Sequence, residues 1–292
     1  MRLHFRFLLA ALLFTLSPAA HAAPLKVVAS FSILGDMTRE IAGKDIALTT
    51  LVGPDSDAHV YEPSPADAKA IAGARLVIIN GLGFEGWMVR LISSSGYGGP
   101  VIVASKGIAT LETSGSQPDP HAWQDLANGK IYAANIRDAL VQADPAHAAE
   151  YRSRAAQYIR RIDALDAWAR QQIANIPAPQ RLIISSHDAF QYFARAYGIT
   201  FIAPLGIDTE SDVSAAAMGD LVDQIRSRHI RAIFLENITD PRLIRQLQSD
   251  TRVAIGGTLY SDALSDDAGP APTYLAMFRH NVTALMKAMA QP

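Results

Sequence analysis

The 292-residue sequence contains no cysteine. That excludes a disulfide framework and the acylated cysteine on which a lipoprotein anchor depends. Charge is sparse and nearly balanced, with 18% charged residues and a formal net charge of -2. Such a chain offers no basic face for nucleic acid and no polybasic patch for a membrane surface. Beyond the first two dozen residues, no apolar run approaches the roughly 18 residues that a membrane helix needs. Low-complexity segments and short-period repeats are also missing. What remains is rich in core-forming side chains, at 49% hydrophobic, and long enough for two lobes with separate cores.

The one long apolar run opens the chain, in "MRLHFRFLLAALLFTLSPAAHAAP". Arg2 and Arg6 precede an apolar core from Phe7 to Leu16, and small residues end at Ala20-His21-Ala22. This is the pattern of a secretory signal peptide over residues 1–22 with an A-x-A cleavage site. His4 and His21 leave with it. With no cysteine at the cut, the mature chain is expected free in the periplasm.

Short apolar runs then alternate with helical patterns, which indicates parallel α/β architecture. Strands are expected at Lys26 to Phe31, Ile46 to Val52, Leu76 to Asn80 and Val101 to Ser105. In the second half they are expected at Arg181 to Ser186, Thr200 to Leu205, Ala232 to Asn237 and Arg252 to Gly257. Ile33, Leu34, Met37 and Ile41 keep helical spacing, and "SPAD" at 64–67 supplies an N-cap, a proline at N1 and an acid at N3. Later helices are expected at about His187 to Tyr197, Ser214 to His229, Pro241 to Ser249 and Tyr274 to Ala290. Between the halves, the stretch from Asp144-Pro145 meets no further Gly or Pro until Pro177. Tyr151, Ala155, Tyr158, Ile162, Leu165 and Trp168 recur at three- and four-residue steps, so one stripe of a rod about 45 Å long is buried. The expected fold is α/β: two lobes, each with a four-stranded, mainly parallel sheet flanked by helices, joined by one long rigid helix. The corresponding boundaries are 23–143 for the first lobe, 144–176 for the helix and 177–292 for the second lobe.

In open α/β sheets ligands bind beyond the carboxyl ends of the strands. Four residues with metal-binding side chains stand in such loops: His59 after the second strand, His121 after the fourth, His187 directly after "RLIISS", and Asp262 after the last. A single loop histidine is more often solvated than ligating, and an aspartate near Ser and Gly usually serves a turn. The four together, two from each half, place a cation in the crevice between lobes. His147, His229 and His280 fall on helices and are expected to face solvent or serve structure.

The segments "DAHVYEPSP", "DPHAW", "SSHDAFQYFARAYGI" and "GGTLYSDALS" resemble, in order, the four metal-site segments of the zinc and manganese substrate-binding proteins of bacterial ABC transporters, the cluster A-I family. The similarity extends over the whole mature chain, long connecting helix included. It implies one ligand from each segment, hence His59, His121, His187 and Asp262, and a protein that captures a divalent ion and hands it to a membrane permease. Neither catalytic residues nor an organic cofactor are implied. The expected partners are the ion, the ABC permease and a periplasmic metal chaperone, with no nucleic acid, and the protein is expected to act as a monomer.

Three imidazoles and one carboxylate suit tetrahedral Zn²⁺, whereas Mn²⁺ favours more oxygen and higher coordination. Manganese-preferring members of the family place Glu where this chain has His187, which favours Zn²⁺; Mn²⁺ or Fe²⁺ is the alternative. The His-rich loop that many zinc-dedicated members carry before the second ligand is absent from "LETSGSQPDPH". A surface adhesin or a chaperone without a permease would use the same site. A zinc enzyme would need an open coordination position and a nearby acid or base, and no HExxH motif is present. Asp57, Asp119, Asp125, Asp188 and Glu236 are the candidates to fix the imidazole tautomers, each with helix capping or solvation as its plainer role.

Overall fold

The computed structural model describes residues 23–113, 117–209 and 213–290; the expected signal peptide lies outside them. Among the described residues, eight strands form two four-stranded sheets. The first contains β1 (Leu25–Phe31), β2 (Ile46–Val52), β3 (Leu76–Ile79) and β4 (Val101–Val103), in the order β2-β1-β3-β4. In the second, β5 (Leu182–Ile184), β6 (Thr200–Ile202), β7 (Ala232–Glu236) and β8 (Ala254–Leu259) repeat that order as β6-β5-β7-β8. Every pairing is parallel. Parallel strands are covered on both faces and so read as continuous apolar runs. This is why "KVVASF" and "LVII" are legible as strands.

The helices are α1 (Ser32–Ala42), α2 (Pro65–Ala72), α3 (Met88–Ser95), α4 (Leu126–Ala143), α5 (Ala148–Ala174), α6 (Gln191–Tyr197), α7 (Ala215–Ser227), α8 (Arg242–Thr251) and α9 (Tyr274–Met289). At α2 the expected start is a capping box: Asp67 donates its N–H to the Ser64 hydroxyl, and its carboxylate accepts the Ser64 N–H at 2.7 Å. Sequence reading passed over α4, although Leu126, Tyr132, Ala133, Ile136 and Leu140 repeat at helical spacing and Asp125 caps its first turn. The break between α4 and α5 is a single tight turn at Pro145–His147. His147 therefore precedes α5, and its ring meets the Asp144 carboxylate at 2.6 Å. His229 also lies off the helix expected to hold it, two residues beyond α7 with φ +52.

The strand expected from Arg252 starts two residues later, because Arg252 takes up a left-handed conformation that ends α8. Its register against β7 shifts between Ile233 and Phe234. Gly256 sits against the Phe234 ring there, where a Cβ would come within 2.5 Å. Only glycine allows that approach. The bulge lets β8 run on to Leu259, three residues short of Asp262.

Helix α5 is about 40 Å long, from 27 residues at about 1.5 Å each. Tyr151, Ala155, Tyr158, Ile162, Leu165, Ala169 and Ile173 form its buried stripe. Trp168, expected in that stripe, lies at its rim under the Arg279 guanidinium, 4.3 Å from the ring centre. Near its start, Arg154 donates to the Ile41 and Ala42 carbonyls at the end of α1, both at 2.7 Å. Toward its end, Arg170 donates to the Ala196 carbonyl and Asp166 accepts from the Tyr197 hydroxyl. The helix is thus fastened to both halves.

Hydrophobic packing does not divide with the sheets, contrary to the expectation of separate cores. One continuous cluster runs from Val28 and Ile78 through Tyr158 and Ile162 to Phe193, Phe234 and Phe278. A smaller one, with Ile184, Leu221, Ile233, Ile244 and Leu247, fills the space between the second sheet and α7 and α8. Helix α9 explains the fusion: the N–H of Tyr274 donates to Asp36 in α1 at 2.8 Å, and the Tyr274 hydroxyl donates to the Trp123 carbonyl at 2.6 Å.

Candidate metal centre

All four residues singled out in the sequence meet at the carboxyl ends of the two sheets. One donor atom from each of His59, His121, His187 and Asp262 lies within 4.8 Å of the other three. His187 stands three residues beyond the end of β5, the strand that has β6 on one side and β7 on the other. Such switch points open a crevice beyond the strand ends. His59 arrives on the loop after β2, His121 on the loop before α4 and Asp262 on the loop after β8.

The separations are those of a coordination shell. Asp262 Oδ2 lies 3.1 Å from His59 Nε2, 3.1 Å from His187 Nε2 and 3.6 Å from His121 Nε2. His59 Nε2 and His121 Nε2 are 3.3 Å apart. A tetrahedron with metal–ligand bonds of 2.0 to 2.1 Å has edges of about 3.3 Å. The second Asp262 oxygen, Oδ1, is buried with no partner in the protein, which is costly unless something else satisfies it.

Two of the imidazoles are held by carboxylates on their far side, as ligating histidines generally are. His121 Nδ1 lies 2.8 Å from Asp119 Oδ1, which also accepts the His121 backbone N–H at 2.9 Å. His187 Nδ1 lies 2.6 Å from Glu236 Oε2, within ion-pair distance though out of line for a hydrogen bond. The other Glu236 oxygen accepts the N–H groups of Ser186 and His187 at 2.7 and 2.9 Å. Helix α6 starts at Gln191 rather than at His187, which leaves His187 on the loop after β5. The remaining three candidates do other work. Asp57 accepts the His59 backbone N–H at 2.8 Å, Asp125 caps α4, and Asp188 accepts from Gln191.

The electrostatics favour positive charge at the centre. Burial by itself opposes a charged imidazole at His121, but the Asp262 carboxylate and the Asp119 hydrogen bond outweigh it and push its pKa up to about 9. At His187 burial is likewise overcome by Glu236 and Asp262, and its pKa rises. Asp262 feels burial in the opposite sense, yet the two imidazoles hold its carboxyl well below the usual range.

An aromatic wall backs the donors. Phe84 meets the His59 ring edge-on at 4.7 Å between centres, and Trp123 lies 5.4 Å from His121. Sequence reading did not find the clamps behind this wall. Trp123 Nε1 and Gln124 Nε2 both donate to the Ser261 carbonyl, at 2.9 and 2.7 Å, which ties the His121 segment to the Asp262 segment. Tyr192 on α6 donates its hydroxyl to the Asp119 carbonyl at 2.9 Å and accepts the Leu111 N–H at 3.1 Å. Asn80, at the end of β3, donates to the Pro120 carbonyl at 2.9 Å. Only Trp123 carried a signal, standing two residues after His121 in "DPHAW". His280 is structural, with its ring nitrogen 2.9 Å from the Thr258 carbonyl.

The sequence and fold match known proteins along nearly their whole length. The family described as zinc-uptake complex component A, periplasmic, matches residues 27–288. The manganese-binding lipoprotein MntA of Halalkalibacterium halodurans is 34% identical, with 91% of this chain and 89% of that protein covered. The iron-binding protein YfeA of Yersinia pestis is 33% identical over 99% of both. Among solved structures, the periplasmic zinc-binding protein TroA of Treponema pallidum superposes with a TM-score of 0.89 at 31% identity, covering 92% of this chain and all of that one. The chain therefore belongs to the zinc-uptake component A family, the metal-binding substrate-binding proteins of ABC transporters.

Proposed function

We propose that the protein captures one divalent transition-metal ion through His59, His121, His187 and Asp262 and delivers it to an ABC permease. The observation that carries this reading is the convergence of four donor atoms within 4.8 Å, from loops as distant in sequence as residues 59 and 262. The lobes divide at 143/144 and 176/177, with α5 as the strut between them. Zn²⁺ is the favoured cargo, because three imidazoles dominate the donor set and the donor spacings fit a tetrahedral shell. Mn²⁺ or Fe²⁺ is the second reading. The unpartnered Asp262 Oδ1 would permit the bidentate contact that higher coordination requires, and relatives are named for those metals.

Four converging protein donors leave no open position for a catalytic water, which argues for carriage rather than catalysis. Several relatives are named lipoproteins, but this sequence has no cysteine to acylate. The protein is therefore read as free in the periplasm, and we read it separately as acting as a monomer. A permease and an ATPase encoded beside it would favour transport over an adhesin or a chaperone role. The test is competitive titration of metal-stripped protein with Zn²⁺ and Mn²⁺. One ion per chain is expected, with Zn²⁺ bound more tightly. Preference for Mn²⁺ under equal supply would reverse the choice of metal, and binding of neither would defeat the receptor reading.

A further inference from the structure

Asp57 joins the His59 loop to the opposite half of the molecule. Its Oδ1 accepts the His59 N–H at 2.8 Å, while its Oδ2 accepts the hydroxyl of Thr209 at 2.5 Å. Thr209 stands beyond β6, the edge strand of the second sheet. Besides the contact of His59 with Asp262, Asp55 makes two crossings: its N–H donates to the Leu264 carbonyl at 2.9 Å, and its Oδ1 accepts from Asn237 at 2.9 Å. Leu264 belongs to the fused core, whereas Thr209 lines a cavity walled by residues of α7 and α8.

The Asp57–Thr209 pair also lies in the wall of a cavity of about 1190 Å³ that runs outward along α7 and α8. Ser186, the residue before His187, lines the same cavity, and its hydroxyl is buried with no partner in the protein. Val60, the residue after His59, lines it too and is 43% exposed. The cavity is thus lined by the chain neighbours of two of the four donors. Of the four side chains, His121, His187 and Asp262 are wholly covered, and His59 alone retains some exposure, at 7%.

We infer that Asp57 and Thr209 form a latch on His59: the contact holds the loop against the second half while an ion is bound, and its opening frees His59 toward this cavity as the first donor to leave. The inference rests on the four residues being the metal site. Thr209 touches no donor atom and is a positioning residue. It acts through Asp57, whose other oxygen fixes the His59 backbone. A hydrogen bond to a carboxylate is stronger than one between neutral groups, and this one is half-covered. Its loss should speed release by roughly tenfold.

The experiment mixes full-length, Zn²⁺-loaded protein with excess chromophoric chelator in a stopped-flow instrument. Thr209→Val and Thr209→Ala should both release Zn²⁺ about tenfold faster than the wild type. Thr209→Ser, which restores the hydroxyl, should release it at the wild-type rate. Release by Val and Ala variants at the wild-type rate would overturn the latch, as would a Ser variant as fast as the Val variant. A wild type that retains neither Zn²⁺ nor Mn²⁺ after loading would overturn the metal-receptor reading itself, and the latch with it. Retention by the wild type with all variants unchanged would overturn the latch alone.

Discussion

In Asp57-Ala58-His59 and in Asp119-Pro120-His121, an aspartate two residues before a histidine accepts that histidine's backbone N–H, at 2.8 and 2.9 Å. The two loops differ in what surrounds this shared geometry. Asp119 turns the same oxygen to the His121 ring and lies in a closed network, with Tyr192, Asn80, Trp123 and Gln124 binding its neighbours to both halves of the molecule. Asp57 never reaches the His59 ring and spends its second oxygen on a threonine at the mouth. Identical local chemistry therefore gives one donor fixed by buried hydrogen bonds and another whose loop is held by a half-covered one. A transport receptor needs both, since it must bind tightly and still surrender its cargo.

Breaking the buried side should have the largest effect. His121→Ala removes a donor from the fixed network and should cost more in Zn²⁺ affinity than the 10- to 100-fold typical of losing a supporting carboxylate, as read by competition with a chelator. A second consequence concerns Asp36, which anchors α9 beneath that network. Burial raises its pKa from 3.8 to about 6, against the lowering effect of the Tyr274 N–H. Because the folded pKa lies above the unfolded one, the stability at stake is fully present below pH 3.8 and is lost as pH rises through 6. At 1.36 kcal/mol per unit, urea unfolding of the metal-free protein should show the wild type losing roughly 2 kcal/mol relative to Asp36→Asn between pH 4 and 7. Parallel pH profiles would contradict this account of Asp36. The comparison of the two loops is sharpened most by a matched pair. Asp119→Asn should weaken Zn²⁺ binding roughly 10- to 100-fold, and Asp57→Asn, which leaves the ring untouched, by less than about tenfold.

The strands and donors were legible because their physics is local. A parallel strand buried on both faces, such as "LVII", shows as an apolar run, and His187 and Asp262 stand within three residues of strand ends. Asp119 and Glu236 were legible as candidates, since acids near a histidine or at a strand end suggest support for an imidazole. The sequence could not show which of five acids would reach a ring, because that depends on the packing of loops from different halves. Tyr192 meets Asp119 across 73 positions, and Thr209 meets Asp57 across 152. The fusion of the cores was hidden for the same reason: Tyr274 opens a helix that reads as part of the second half, yet its N–H and hydroxyl are used in the first. Helix α4 was visible in principle, but the proline at 145 drew attention to the start of the following helix.

The central claim is that one ion sits among these four side chains. The most direct measurement is anomalous diffraction from crystals of metal-stripped protein reloaded with a single equivalent of Zn²⁺. One peak is predicted, about 2.0 to 2.1 Å from Nε2 of His59, His121 and His187 and about 2.0 to 2.2 Å from an oxygen of Asp262. A peak elsewhere, or one at this place that lacks His187 or Asp262 in its shell, would contradict the account.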